Sequence, residues 1–324
     1  MSGRDTEVIS LLDNEPLVAA GRTMLGRNFP LGEGWYRMNL RFYVSIVIGT
    51  GTTPLVDGLL NFIKNITLKT SLAEVPVNLP ARALQRIALV RAGVAPDITT
   101  LAAATAVYIF DIPILFADPA MMRPEDTILD TYRYNSMSLE ITTGTVADLF
   151  GTVGTSTVST TLDATVLRTR GQLPPEALPF FIVDYSAMPP VDAATTTSID
   201  LERSDLTYKR LYVFASSAGT PGVVFSGAAA DDVQLRENVR DQNGDITNPI
   251  KHELIQSTNK LDYGLQVSSA GLTVFDFVSD GSINTALTGS DKSRLQYTWV
   301  NKAGVAANDI VSLAYEGFRG LKSA

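Results

Sequence analysis

Cysteine is absent from the 324 residues. Disulfides, thiol nucleophiles, iron–sulfur clusters and cysteine-ligated zinc are therefore excluded. There is one histidine, His252. A multi-histidine metal centre cannot form, and a Ser–His–acid triad would have to recruit that residue. Cations are in deficit, with 26 Lys and Arg against 34 Asp and Glu and a net charge of −8. Sequence-independent DNA binding needs clustered Lys and Arg against the phosphates, so that class is disfavoured, and no sequence-specific nucleic-acid contact is expected either. Long apolar runs are also missing. The best, residues 101–110, is cut off by Asp111 and Pro113, short of the roughly 20 residues a membrane-spanning helix needs. Residues 1–20 lack a basic stretch followed by a clean apolar run, so no secretory leader is expected, and the chain reads as soluble in a reducing or redox-indifferent setting.

What is present can build a core. Hydrophobic residues make up 45% and charged residues 19%, a balance that excludes wholesale disorder. Gly (24) and Pro (16) are near ordinary usage, which excludes collagen-like repeats. The length corresponds to about two domains of roughly 150 residues.

β-Branched and aromatic runs dominate. Residues 41–48 read as a strand ended by Gly49-Thr50-Gly51-Thr52. Further strand candidates are 66–68, 107–115, 138–142, 161–168, 180–185, 195–201, 209–215, 272–278, 295–300 and 310–315. Each is short, rich in Val, Ile, Thr, Tyr or Phe, and bounded by turn formers. That pattern predicts an all-β sandwich, jelly roll or barrel. Helices are few. Residues 80–90 form one, because Pro80 suits a first helical turn and Gly93 a stop. Residues 249–255 form a second, with Asn248 placed to cap its free amides. Residues 5–13 fit a short amphipathic helix.

Four blocks recur in the same order. Arg41-Phe42-Tyr43-Val44 matches Arg210-Leu211-Tyr212-Val213, and Ile66-Thr67-Leu68-Lys69 matches Val233-Gln234-Leu235-Arg236. Tyr108-Ile109-Phe110-Asp111-Ile112 matches Thr273-Val274-Phe275-Asp276-Phe277, and Gly144-Thr145-Val146-Ala147 matches Gly304-Val305-Ala306-Ala307. Pro80 and Pro249 fit the same offset. Collinear matches predict a duplicated β-domain; the alternative is two unrelated β-domains that share common strand vocabulary. The junction falls near Gly171-Gln172-Leu173-Pro174-Pro175, where proline favours extended backbone.

Motifs for chemistry are scarce. No Gly-x-Ser-x-Gly elbow is present, and His252 reads as a helix-surface or interface residue. Gly49-Thr50-Gly51-Thr52-Thr53 lacks the Gly-Lys-Ser/Thr of a phosphate loop and reads as a turn. Asp241, Asn243 and Asp245 place three oxygen side chains around Gly244, the chemistry that holds Ca²⁺. No glutamate stands at loop position 12, and Asn-Gly is a strong hairpin signal, so a turn is the competing reading. Arg82 and Arg86 share a helix face, with Arg91 further round; they read as a solvated face or as a contact for an acidic partner. The Ser/Thr-rich stretch 142–165 reads as strands around an exposed polar loop.

A short N-terminal arm leads into Gly34-Trp35-Tyr36-Arg37-Met38-Asn39-Leu40-Arg41-Phe42-Tyr43-Val44, then Asn61-Phe62-Ile63-Lys64-Asn65-Ile66-Thr67-Leu68 and the Pro80-led helix, followed by a second all-β copy. This resembles the double-jelly-roll major capsid proteins of tailless icosahedral viruses, from adenovirus to bacteriophages with an internal membrane. Its size and lack of cysteine are most similar to the compact versions in small membrane-containing phages, such as the lipid-containing phage of Flavobacterium. The resemblance implies an arm at residues 1–20 and two tandem eight-stranded jelly rolls at 21–172 and 173–324 with a few short helices. It implies homotrimeric, pseudo-hexagonal capsomers, no catalytic residues and no cofactor. It implies a location in the virion shell after synthesis in the host cytoplasm. The expected partners are neighbouring capsomers, minor capsid proteins such as pentons, and an internal membrane.

Membrane or capsomer contact falls to Arg4, Ile9, Leu11, Leu12 and Leu17 of the arm, so deleting residues 2–18 should spare trimers and impair shell assembly. Asp5, Glu7, Asp13, Glu15 and Glu33 argue against strong attraction to anionic lipid. Two rivals stay open. One is a two-domain β-sandwich protein that binds or acts on carbohydrate, although only Trp35 and Trp299 are available for stacking on sugar. The other is a minor virion spike, although fibrous repeats are missing.

Overall fold

The computed structural model describes residues 6–26, 29–49, 52–55, 57–72, 74–93, 98, 100–118, 127–152, 154–170, 182–187, 191–192, 198–201, 206–217, 220–221, 236–241, 243–247, 250–263, 272–278, 286–288, 295–300 and 310–319. The chain divides into two compact units, residues 1–183 and 184–324.

The first unit contains β1 Thr6–Leu17, β2 Arg22–Leu25, β3 Gly34–Val47, β4 Thr53–Pro54, α1 Gly58–Phe62, β5 Ile63–Thr70 and β6 Val77–Leu79. It continues with α2 Ala81–Ala92, β7 Ala106–Leu115, β8 Leu129–Asp130, β9 Met137–Thr143, β10 Phe150–Thr152 and β11 Thr157–Thr169. One sheet has the order β1-β11-β3-β7, and the other runs β2-β9-β5-β6. With β8, which only flanks β3, and the separate β4–β10 pair set aside, these are strands 1-8-3-6 and 2-7-4-5 of eight. That is the order of a jelly roll.

Strict alternation makes β3 the spine of its sheet. Met38, Leu40, Phe42, Val44 and Ile46 are fully buried, while Arg37, Asn39, Arg41, Tyr43 and Ser45 point to the other face, as a period of two requires. Phe42 stacks on Phe110 of β7 with ring centroids 5.3 Å apart.

The strand β12 Ile182–Ala187 runs across the boundary, and the second unit continues with β13 Val191–Asp192, β14 Ser198–Asp200, β15 Thr207–Ser217, β16 Thr220–Pro221, β17 Arg236–Asp241, β18 Gly244–Asp245 and β19 Ile250–Lys251. Then come α3 His252–Tyr263, β20 Leu272–Asp276, β21 Leu287–Thr288, β22 Gln296–Val300 and β23 Ile310–Arg319. The pairing gives β13-β23-β15-β20 and β14-β22-β17-β19. With β12, β16, β18 and β21 set aside, this is the same strand order again, with a core that includes Leu211, Val213, Val239, Phe275, Tyr297 and Leu313. Two tandem jelly rolls with few helices is the expected fold.

Two helix expectations are corrected. Residues 6–17 are strand β1, not an amphipathic helix, because antiparallel pairing with β11 from Thr6↔Thr169 to Leu17↔Thr160 satisfies their backbone. A five-residue apolar cluster fits either period, and the tertiary partner decides it. The second helix begins at His252 rather than 249, because Ile250 and Lys251 pair with Glu237 and Arg236 of β17; Asn248 and Pro249 lie outside the described residues. The first helix stands as expected. Pro80 precedes it with φ −64°, and Gly93 ends it at φ +69°, a left-handed conformation that glycine adopts without a Cβ penalty. No described helix is long and apolar enough to cross a membrane.

Candidate interaction surface

Two of the four repeated sequence blocks meet in space, while residues 233–235 and 304–307 of the other two lie outside the described residues. In the first unit Arg41 of β3 lies opposite Asp111 of β7 and Asp163 of β11. In the second, Arg210 of β15 lies opposite Asp276 of β20 and Glu316 of β23. Arg41 Nε donates to Asp111 Oδ1 at 2.9 Å and its NH2 to Oδ2 at 2.9 Å; Arg210 Nε donates to Asp276 Oδ2 at 2.7 Å. Two residues on, Tyr43 donates its hydroxyl to Asp163 at 2.8 Å and Tyr212 donates its own to Glu316 at 2.9 Å. An Arg-x-Tyr on the middle strand, bonded to an acid on each neighbouring strand, therefore occurs in both jelly rolls at equivalent positions. Chance vocabulary does not produce matching registers on three strands, which favours duplication over two unrelated β-domains.

The two faces differ in exposure. Arg41 keeps half of its side chain in solvent (50%), whereas Arg210 and Glu316 are buried at 2% and 0%. Lys209 adds to the buried side, with Nζ 2.6 Å from Glu316. Around Arg41 the outer face of the first sheet is open. A groove of about 510 Å³ lies on one side, lined by residues that include Val8, Ala88, Ala92, Asp111, Pro113 and Leu167. A second of about 470 Å³ lies on the other, beside Tyr43, Val107 and Asp163. Val47, Val107 and Ile109, neighbours at one end of that face, are 48–58% exposed. Exposed aliphatic side chains gathered on one face mark contact surfaces.

The other predicted sites resolve differently. Asp241 and Gly244 pair across a hairpin, the N–H of Asn243 donates to Asp241 Oδ1 at 2.7 Å, and Gly244 takes φ +139°. The hairpin is therefore formed. No group of three metal-ligating acids or histidines occurs among the described residues. Of the expected contact residues, Leu12 and Leu17 are buried inside the first jelly roll, Ile9 and Leu11 are half-buried, and Arg4 lies outside the described residues. The deletion of residues 2–18 would accordingly remove a strand of the sheet, not a loose arm.

Arg82, Arg86 and Arg91 are not a solvated helix face. Arg82 and Arg86 converge on Asp57 at 3.6 and 3.4 Å. Arg91 is buried, donating to the carbonyls of Leu115 and Phe116. A charged helix residue close to a strand end finds backbone acceptors there, and that position is invisible to spacing alone. His252 opens α3. Trp35 is completely buried, so it offers no stacking platform to a sugar.

No protein-family profile matches the chain, and no curated protein matches it in sequence. Solved structures do match. The atomic structure of Sulfolobus Turreted Icosahedral Virus aligns over 97% of this chain and 91% of its own, with a TM-score of 0.69 and 14% identity. The crystal structure of the STIV MCP aligns over 97% of both chains with a TM-score of 0.67 and 12% identity. The major capsid protein P2 from bacteriophage PM2 aligns over 98% of this chain and 99% of its own, with a TM-score of 0.62 and 12% identity. At such identities the likeness shows a shared fold: two jelly rolls over the whole chain.

Proposed function

We propose that this chain is a major capsid subunit, a protein that builds a virion shell through contacts with copies of itself and catalyses nothing. The observation that supports it most is the pair of topologically identical jelly rolls in one chain, of which the first leaves a sheet face open. Three such chains present six similar domains, and six similar domains tile a facet as a hexamer does. Cyclic trimers are built from heterologous contacts, one face meeting a different face of the neighbour. The solved virus and capsid-protein structures compared above share this fold over 91–99% of their own chains, which favours the shell role over a carbohydrate-binding or spike protein.

The partners that go with this role are neighbouring capsomers, minor vertex proteins such as pentons, and an internal membrane. Synthesis in the host cytoplasm belongs to the same reading. Flotation of the purified protein with lipid vesicles tests the membrane contact, and a protein that stays out of the floated fraction removes it. Light scattering tests the assembly. The expected species has a mass of about 105 kDa, three times the 34.9 kDa chain. It should be unchanged in EDTA, because the loop at Asp241 is closed by its own hairpin hydrogen bonds. A monomer at micromolar concentration would remove the capsomer reading, and loss of the large species in EDTA would restore a metal to that loop.

A further inference from the structure

The start of α2 concentrates positive charge. A helix N-terminus is itself partly positive and favours acids in its first turn. Here Pro80 offers no side-chain acceptor, no acid stands in the first turn, and the second helical residue is Arg82. Arg86 follows one turn later. Both guanidinium groups turn to one oxygen, Asp57 Oδ2, which lies 3.6 Å from Arg82 Nε and 3.4 Å from Arg86 Nη2. The longer contact is an ion pair without a hydrogen bond. Arg82 Nε and Nη2 are shut off from solvent and have no acceptor, and Arg86 Nε has none either. Arg41 shows how the same fork is satisfied: its Nε and Nη2 each donate to Asp111 at 2.9 Å. Burial holds the Arg82 pKa below its ordinary value, outweighing the attraction of Asp57.

Arg82 also lines a groove of about 360 Å³. Leu55, Leu60, Ile63 and Pro80 give the groove apolar walls. Lys64 lines it too and is paired with Asp148. Arg82, Arg86 and Lys64 thus face only two carboxylates, Asp57 and Asp148, and one positive charge among these residues is unmatched. Buried donors are almost always paired in folded proteins, so Arg82 has capacity for an acceptor from outside the chain.

We propose that this groove binds the carboxylate of an acidic peptide segment from a partner protein, with Arg82 as its anchor. One unmatched cation calls for one negative charge. A guanidinium holds a carboxylate side by side through two parallel hydrogen bonds, and the apolar walls suit an aliphatic stem. A nucleic-acid backbone fits badly, because it brings many charges to a chain of net charge −8. Binding gives Arg82 the acceptor it lacks and leaves Asp57 to Arg86. The groove lies wholly within the first jelly roll, so the inference stands without the capsid reading.

Fluorescence anisotropy with two labelled tripeptides blocked at their ends, Leu-Glu-Leu and Leu-Gln-Leu, tests the site. The glutamate peptide should bind saturably below about 1 mM, and the glutamine peptide about tenfold more weakly, since it forfeits a charge-assisted hydrogen bond. Arg82→Gln should weaken glutamate-peptide binding about tenfold, and without peptide it should unfold no earlier than wild type, because it removes an unmatched charge. Asp57→Asn should act in the opposite direction and tighten binding, because the competing carboxylate is gone. Asparagine tolerates the left-handed φ of +56° at that position, so this variant and the peptide pair keep the test independent of how Arg82→Gln folds. Equal binding of the two peptides, weaker binding by Asp57→Asn, or no binding of the glutamate peptide would overturn the proposal. Inorganic phosphate that competes at the same concentration as the peptide would overturn the carboxylate assignment.

Discussion

Arg41 and Arg210 hold the same place in their sheets and carry different energetic weights. Arg41 is half in water, and exposed ion pairs contribute about 0–1 kcal/mol. Arg41→Ala should therefore shift the urea midpoint little. Glu316 is completely buried, with Lys209, Arg210 and Tyr212 directed at it. Removing one partner of a buried pair strands the other charges and costs about 3–5 kcal/mol, so Glu316→Ala should lower the midpoint strongly. Equal effects of the two substitutions would contradict the exposure difference between the faces.

Protonation acts at the same scale. Burial pushes the Glu140 carboxyl up, but hydrogen bonds from Lys69 and Arg22 outweigh it and hold the group below its usual range. Asp148 is likewise held down, with Lys64 and Thr145 outweighing burial. Stability from such groups is present above the unfolded carboxyl values of about 4 and is lost as the pH falls through the lower folded ones. Glu33 runs the other way, raised chiefly by burial, so it offsets part of that loss. The denaturation midpoint should fall below about pH 4, and Glu140→Gln should flatten the fall. An unchanged acid slope in that variant would rule out Glu140 as its source.

At the scale of elements, β1 is an edge strand joined to the fold through β11, with Leu12 and Leu17 buried beneath it. Deleting residues 2–17 uncovers the β11 edge, and unpaired edges invite aggregation. The expected outcome is a lowered melting temperature and aggregation, read by circular dichroism and light scattering; trimers of native stability would mean that β1 is dispensable. Gly93 isolates a smaller effect. A Cβ there would meet nothing within 4 Å, yet φ is +69°. Gly93→Ala should cost about 1–2 kcal/mol from the left-handed backbone alone. A larger loss would point to packing that the local geometry lacks.

At the scale of the molecule, duplication sets the assembly arithmetic. A chain with two similar jelly rolls can fill six places with three copies, provided each copy leaves one face open for the next. Repeat proteins divide their interfaces between neighbours in the same way, each unit burying a face that it cannot bury alone.

The strands from 41–48 to 310–315, the Pro80–Gly93 helix and the duplicated Arg-x-Tyr and Phe-Asp blocks were legible in the amino-acid sequence alone. Period-two alternation, glycine and proline boundaries and collinear repeats are local properties that survive without a partner. Other features depended on contacts between distant segments. Residues 6–17 became a strand because β11 offered backbone partners, Arg91 became buried because carbonyls at the end of β7 lay within its reach, and Arg210 closed over while Arg41 stayed open. Hydrogen-bond partners and burial are set by what the chain brings together from many residues away, and only the tertiary structure decides them.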